Sequence, residues 1–241
     1  MTAAALTSQP DIVLDVRAVS KRFGGIQAVD RASLAVRGGT VTGVIGPNGS
    51  GKSTLFNLIT GLERPDSGVI RFAGRNIAGM GADRINHLGI GRTFQLTRLF
   101  GRMTVLENLT VVARRPDAEQ QATALLASLG LERLTYEYAE NLSYGQQKLV
   151  EFLRLSMLDP TLILLDEPFA GVNPVMEQEL LRQLRTWVDQ GRTILLTDHE
   201  MAIMMDLCEE IFVLDHGEVI AHGTPDAVRN DPRVMEAYFG S

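Results

Sequence analysis

The chain has 241 residues, 45% of them hydrophobic, and it carries a formal net charge of −6 with a single cysteine, Cys208. This composition supplies enough apolar surface for a hydrophobic core and excludes a fold held together by internal disulfides. The acidic balance argues against a nucleic-acid partner, because proteins that neutralise phosphates usually carry a basic face.

The chain lacks sequence signals for membrane insertion and for secretion. No apolar run reaches the roughly 18 residues that a membrane-spanning helix needs. Residues 1–10 have neither the basic nor the apolar region of a signal peptide, and we expect residues 1–11 to form a flexible tail. We therefore expect a cytoplasmic protein, in which Cys208 is a small buried hydrophobe on a helix.

The first predicted elements are β-strands. Apolar alternation predicts strands over residues 12–19, 32–36 and 41–45, with a turn at residues 21–25. Phe23 lies in this predicted turn. An aromatic side chain exposed there is a candidate for stacking on a nucleotide base, with packing at the rim of the sheet as the alternative.

The stretch after the third strand has the spacing G-x-x-x-x-G-K-[ST] and leads into a helix predicted over residues 55–61. This is the pattern of a P-loop, in which glycines let successive backbone N–H groups face one anion at a helix N-terminus. Lys52 would bind the β- and γ-phosphates, and the Ser53 hydroxyl is suited to Mg²⁺. A glycine-rich turn that matches by chance is the alternative. The residues predicted to bind ATP are Gly46, Pro47, Asn48, Gly49, Ser50, Gly51, Lys52, Ser53 and Thr54.

A second set of elements follows the P-loop helix. The pattern predicts a strand over residues 69–73, a short helix over residues 82–88, and a strand from Ile90 that runs into a loop at Gln95. The Gln95 side chain offers a neutral oxygen at a strand end. It is a candidate contact for a metal ion or for a water molecule.

The pattern becomes helical between residues 103 and 159. Thr104 is a candidate N-cap, residues 118–129 have apolar residues at helical spacing, and a further helix is predicted over residues 148–158. Ser143, before that last helix, is on its own a candidate N-cap. We expect residues 103–159 to form a helical subdomain within a single domain whose α/β core comprises residues 12–102 and 160–241.

Acidic residues end the next predicted strand. The apolar run at residues 161–165 is typical of a buried parallel strand, and Asp166 and Glu167 follow it. Because acids at such a position are costly without a cation, Asp166 is predicted to bind Mg²⁺ and Glu167 to orient or deprotonate an attacking water. A solvated strand end is the alternative. His199 follows the strand predicted over residues 193–197, where its N–H can reach a γ-phosphate.

Together these motifs resemble the ATP-binding subunits of ABC transporters, over nearly the whole chain from about Ile12. The resemblance implies an α/β fold with a P-loop NTPase core, in which helices flank a mixed sheet, together with an N-terminal antiparallel β subdomain and an inserted α-helical subdomain. It also implies roles for single residues. Adenine would stack on Phe23, metal and phosphates would contact Lys52, Ser53, Gln95 and Asp166, the catalytic base would be Glu167, and the γ-phosphate would contact His199.

The family's signature, L-S-G-G-Q, corresponds to Leu142-Ser143-Tyr144-Gly145-Gln146, with Tyr144 as a departure. In that family the signature acts in trans. The resemblance therefore implies that two subunits, identical or homologous, sandwich two ATP molecules, each bound by Ser143, Tyr144, Gly145 and Gln146 of the opposite subunit. It also implies permease subunits contacted through Gln95, an indirect partnership with a substrate-binding protein, and a place on the inner face of the cell membrane.

Narrower matches resemble the ATPases of branched-chain amino acid importers. They lie at residues 92–95, 98–100, 103–109, 170–174 and 237–240, and in the tyrosine of the signature. Importers of urea, amides and aromatic acids share this subfamily and remain alternatives. The stretch between residues 113 and 134 is shorter than expected for these subunits, and Asp198 stands where they more often have Glu.

The function expected from the sequence is ATP hydrolysis that powers an ABC importer. The alternative from another class is a soluble ABC-type ATPase that acts as a switch, although such proteins usually carry two ATPase cores or long inserted arms. A P-loop kinase or GTPase is disfavoured, because the chain has no N-K-x-D guanine motif and such an enzyme does not account for residues 142–146.

Overall fold

A computed structural model describes residues 12–93, 98–113 and 115–239 of the chain, except for the side chain of Phe239. The predicted N-terminal tail and Gln95 lie outside the described residues. Within these ranges the strands form a four-stranded antiparallel sheet and a six-stranded mixed sheet. No helix in the described part of the chain is long and apolar enough to cross a membrane.

The antiparallel sheet has the strand order β2-β1-β4-β5. Its strands are β1 (Ile12–Phe23), β2 (Ile26–Arg37), β4 (Ser67–Phe72) and β5 (Arg75–Asn76). The turn predicted over residues 21–25 was too long, because β1 continues to Phe23, which pairs with Ile26. Backbone pairing does not depend on side-chain polarity, so the ladder extends past the end of the apolar alternation. Phe23 is therefore the last residue of a strand.

The mixed sheet has the strand order β10-β9-β3-β8-β7-β6 and is parallel except for β10. Strands β3, β7 and β8 are buried along their whole length, which accounts for their continuous apolar runs. Their carboxyl ends meet at one edge of the sheet, where ligands bind in open α/β folds. The strands are β3 (Val41–Ile45), β6 (Ile90–Arg92), β7 (Leu162–Asp166), β8 (Thr193–Thr197), β9 (Glu210–Asp215) and β10 (Glu218–Gly223).

Helices flank the sheets and account for most of the segment between residues 103 and 159. The helices are α1 (Lys52–Ile59), α2 (Ala82–His87), α3 (Val105–Thr110), α4 (Ala118–Ser128), α5 (Tyr144–Leu158), α6 (Pro174–Asp189), α7 (Met201–Leu207), α8 (Pro225–Arg229) and α9 (Pro232–Phe239). Cys208 is buried directly after α7 rather than on it, and burial raises its pKa to about 12.

Helix α5 begins four residues before the predicted start at residue 148. The predicted bounds were too short, but the prediction of Ser143 as the N-cap is confirmed: Ser143 and Gln146 form a capping box, which satisfies the first free N–H groups and lets the helix start at Tyr144. The helix then lies between two apolar clusters. Phe152 stacks on Trp187 of α6, with ring centroids 5.2 Å apart, whereas Leu153 packs in a cluster with α3 and α4.

The cluster around α3, α4 and α5 is separate from the two clusters that cover the faces of the mixed sheet. Thr104 caps α3 through a capping box with Glu107, as its position in the sequence predicts. The division into an α/β core and a helical subdomain at residues 103–159 remains a prediction.

Candidate functional site

The P-loop follows β3 and wraps the N-terminus of α1. Gly46 has a φ of 156° and Gly51 a φ of 106°. A Cβ atom would lie 2.0 Å from the Leu214 carbonyl oxygen at the first position and 2.3 Å from the Ala28 carbonyl oxygen at the second. Only glycine therefore fits at these two positions, and the first N–H groups of α1 are left for an anion.

The ammonium of Lys52 lies against its own loop. It donates hydrogen bonds to the carbonyl oxygens of Gly46 at 2.7 Å and Pro47 at 3.0 Å. Burial, the largest effect, lowers the pKa of Lys52, while the charges of Glu167 and Asp166 raise it. The structure thus brings the predicted phosphate-binding lysine close to the two predicted acids.

Asp166, at the end of β7, forms a buried ion pair that sequence analysis missed. Arg92 at the end of β6 donates to its Oδ2 at 2.8 Å, and the two side chains are 7% and 6% exposed. The same guanidinium donates to Asn57 Oδ1 of α1 at 2.7 Å and to Thr60 Oγ1 at 3.1 Å. Arg92 therefore fixes Asp166 relative to the helix that follows the P-loop.

Replacing Arg92 by methionine is expected to destabilise the protein by about 3–5 kcal/mol, because it leaves the carboxylate of Asp166 buried without its cation. Urea unfolding would measure the loss, and adding Asp166→Asn should recover part of it. The matched control is Arg115→Met, which breaks an exposed pair with Asp159 and should cost less than about 1 kcal/mol. An equal, small loss in both variants would show that the buried pair does not hold this end of the sheet together.

Glu167 and His199 lie together, as their strand-end positions suggest. His199 Nε2 is 2.6 Å from Glu167 Oε1, and their side chains are 49% and 13% exposed. Glu167 has a positive φ of 50°, which is costly for a residue with a side chain. Its N–H donates to the Thr197 carbonyl oxygen at 2.8 Å, which ties it to the end of β8.

Asp198 organises the two loops that carry this pair. Its Oδ1 accepts hydrogen bonds from the N–H groups of His199 at 2.8 Å and Glu200 at 3.1 Å. Its Oδ2 accepts from the N–H of Phe169 at 3.0 Å. Sequence analysis noted Asp198 only as a departure from Glu, although an acid directly after a predicted buried strand and next to a predicted site residue is a usable signal.

Two other residues near the site were missed. Lys148 of α5 is 1% exposed and donates from Nζ to the Glu167 carbonyl oxygen at 3.2 Å. Tyr238 of α9 lies near the main chain of Gly46, and burial, the largest effect, raises the pKa of its hydroxyl to about 12 although Gly46 lowers it. Lys148 could have been found from the sequence, because it is a lysine on the apolar face of a predicted helix. For Tyr238 no pattern near residue 238 indicates a contact with the P-loop.

The remaining predicted residues lie on the surface around this centre. Phe23 is 44% exposed, and the Lys21 ammonium is 5.1 Å from its ring centroid. The hairpin that carries Phe23 reaches the P-loop through Ala28, near Gly51. Ser143 is exposed at the start of α5, and within the described residues no hydrogen bond or ion pair joins it to the P-loop of the same chain.

The oxygen donors present fit Mg²⁺. Ser53 is exposed in the first turn of α1 and offers a hydroxyl, and Asp166 offers a carboxylate. The described residues contain no cluster of three His, Cys, Asp or Glu side chains suited to a metal. Mg²⁺ at nucleotide sites is commonly held by one or two protein oxygens plus substrate phosphates and water. Ser53 and Asp166 are therefore the candidate protein ligands for Mg²⁺, although Oδ2 of Asp166 already accepts from Arg92.

Comparisons with known proteins bear on this geometry. The family profile described as ABC transporter matches residues 29–170. A second profile, described as branched-chain amino acid ATP-binding cassette transporter, matches residues 218–241. The chain is 38% identical to the high-affinity branched-chain amino acid transport ATP-binding protein LivG of Salmonella typhimurium, and the match covers 97% of this chain and 99% of that protein.

Solved structures are similar over most of the chain. An ATP-binding cassette of an ABC transporter, crystallised in its ADP conformation, has a TM-score of 0.87 and 34% identity, with 95% of this chain and 99% of that one covered. A dimeric ATP-binding cassette in a post-hydrolysis state, bound to ADP and phosphate, has a TM-score of 0.79 and 25% identity, with 88% and 98% covered. The nucleotide-binding fold of these cassettes is thus present here.

Proposed function

This chain belongs to the ABC transporter family as an ATP-binding, ATP-hydrolysing subunit, and from that premise we propose that it powers the import of branched-chain amino acids. The main support for branched-chain amino acids as the substrate is the match of the carboxyl-terminal segment, residues 218–241, to the branched-chain amino acid profile. The near full-length similarity to LivG supports it. The subunit would dock on permease subunits at the inner face of the cell membrane and serve a substrate-binding protein indirectly.

In the proposed mechanism the P-loop binds the phosphates of ATP. Residues 46–54 supply backbone N–H groups and the charge of Lys52, whose ammonium would leave the carbonyl oxygens of Gly46 and Pro47 for the β- and γ-phosphates. Phe23 stacks on the adenine ring. Mg²⁺, held by Ser53 and Asp166, would neutralise charge on the phosphates when bound, and Gln95 is proposed as a further contact.

Glu167 is the proposed base. Its carboxylate would orient the attacking water and accept its proton, and His199 would contact the γ-phosphate. The 2.6 Å contact between His199 Nε2 and Glu167 Oε1 supports this, because it places both groups at one point of the site. The positive φ of Glu167 supports it too, since strained backbone often marks functional positions.

A second copy would complete each site. The turn of Ser143, Tyr144, Gly145 and Gln146, whose first two residues are exposed, lies at a helix N-terminus, which suits a phosphate. It has no bond to the P-loop of its own chain among the described residues, so we propose that it contacts ATP held by a second ATP-binding subunit. The dimeric cassette found by comparison supports such an assembly.

Uptake measurements test the transport proposal. Deletion of the gene is expected to abolish high-affinity uptake of labelled leucine, isoleucine and valine, and the wild-type gene but not Lys52→Ala should restore it. Loss confined to urea, an amide or an aromatic acid would move the substrate to that class. Unchanged uptake of every one of these solutes would contradict a role in import and favour a soluble switch.

A further inference from the structure

We propose that Lys148 and Tyr144 are positioning residues that fasten the signature turn to the loop carrying Glu167 of the same chain. Through this link, contact of the turn with ATP on the opposite subunit would set the position of the proposed base. The inference rests on the proposed function, because it needs Glu167 to act on water and the turn to act in trans. It also gives a role to Tyr144, the departure from the family's signature.

The first observation is the burial of a charge. Lys148 is 1% exposed, and burial lowers its pKa, whereas the charges of Glu151, Asp198, Glu167 and Asp166 raise it. A methionine would fill similar space without the cost of removing an ammonium from water. The ammonium makes a contact that methionine could not make, the hydrogen bond from Nζ to the Glu167 carbonyl oxygen at 3.2 Å.

That contact acts on a strained peptide. Glu167 has a φ of 50°, a conformation that costs roughly 1–3 kcal/mol for a residue with a side chain and that persists only when neighbours hold it. Its own N–H donates to the Thr197 carbonyl oxygen, and its carbonyl oxygen accepts from Lys148 Nζ at 3.2 Å and from the Ala170 N–H at 3.3 Å. Without Lys148 the carbonyl oxygen would lose the shorter of these two bonds and its charged donor, so the strained peptide and the carboxylate of the same residue would be held less firmly.

Tyr144 adds a second point of attachment. Its ring centroid is 5.8 Å from the Lys148 ammonium, within cation–π range, and its hydroxyl is 3.5 Å from the Ala170 carbonyl oxygen. A Cβ atom on Gly171 would lie 3.3 Å from Tyr144 Cε1. The tyrosine ring therefore covers the loop after Glu167, which a glycine at this position could not do.

Helix geometry joins the two points to the signature turn. Tyr144 and Lys148 are four residues apart, so their side chains share one face of α5. Ser143 caps the same helix through its capping box with Gln146. A displacement of the capped turn therefore moves Tyr144 and Lys148 together, and with them the loop that carries Glu167.

Kinetics of Lys148→Met test the proposal. We expect kcat for ATP hydrolysis to fall about 10- to 100-fold, the cost of a small misplacement of a catalytic group, with KM for ATP changed less than about twofold. Lys148→Arg should restore most of the rate because it keeps a donor for the carbonyl. The control is Arg192→Met, which removes another cation of low exposure bonded to Asp159, away from the site, and should leave kcat unchanged.

A second variant keeps the test decisive if Lys148→Met does not fold. Tyr144→Leu should lower kcat severalfold without weakening the binding of ATP to the monomeric subunit, in which the proposed trans contact is not made, whereas Tyr144→Phe, which keeps the ring, should retain most of the rate. Wild-type kcat in both Lys148→Met and Tyr144→Leu, or equal losses in kcat and ATP affinity, would overturn the inference. A wild-type protein that neither hydrolyses ATP nor dimerises with it would instead refute the proposed function.

Discussion

Glu167→Gln is expected to lower the rate of ATP hydrolysis by about 10²- to 10⁴-fold, the usual contribution of a positioned general base. Glutamine has nearly the same shape and can still hydrogen bond to His199, which lies 2.6 Å from the carboxylate in the wild-type protein. It cannot accept a proton from water. ATP binding should therefore persist while turnover stops, and ATP should hold two subunits together.

Two measurements check this result. Phosphate release gives the rate, and gel filtration with ATP should show a dimer for the variant and a monomer without nucleotide. The matched control is Glu200→Gln, the same change on an exposed side chain of the His199 loop, which should hydrolyse ATP at the wild-type rate. Hydrolysis by Glu167→Gln at that rate would remove Glu167 from the role of base.

Lys52→Ala is expected to weaken ATP binding by about 2–5 kcal/mol, the cost of deleting one partner of a desolvated charge contact. That corresponds to a rise in Kd of about 30- to 4,000-fold. The alanine variant loses both the charge proposed to bind the phosphates and the bonds that the lysine ammonium makes to Gly46 and Pro47. Hydrolysis and uptake should be lost with binding.

Titration with a fluorescent ATP analogue measures this Kd directly. Arg75→Ala, which removes an exposed cation from β5, is the control for a general effect of charge and should leave Kd unchanged. Thermal unfolding without nucleotide should show that the Lys52 variant is folded. A Kd within twofold of the wild-type value would mean that the lysine does not hold the phosphates.

Much of the fold could be predicted because its signals are local. The buried strands β7 and β8 are predicted by continuous apolar runs. Because parallel strands end at one edge of a sheet, Asp166 at the end of β7 and His199 just after β8 are expected at the same edge. The start of α5 and the end of β1 were misplaced. Strand β1 is longer because backbone pairing continues past the apolar alternation, whereas α5 starts earlier because the capping box of Ser143 and Gln146 satisfies the free N–H groups of its first turn.

The sequence by itself determined the residues on which the proposed chemistry of the site rests. A glycine-rich loop that ends in Lys52 and Ser53 needs no distant partner, since residues next to each other in the chain shape the loop and start the helix. The same holds for the capping box at Ser143, whose members are three residues apart. Both features are defined by the spacing of residues along the chain, which can be read from the sequence alone.

Only the tertiary structure decided which charges hold that site in place. Arg92 meets Asp166 across 74 residues of chain, and Lys148 meets the carbonyl of Glu167 across 19. These contacts arise when the sheet and α5 pack and remove the groups from water, which makes each charge costly unless a partner is present. Burial is a property of the folded chain, so the spacing of residues in the sequence does not predict these buried pairs.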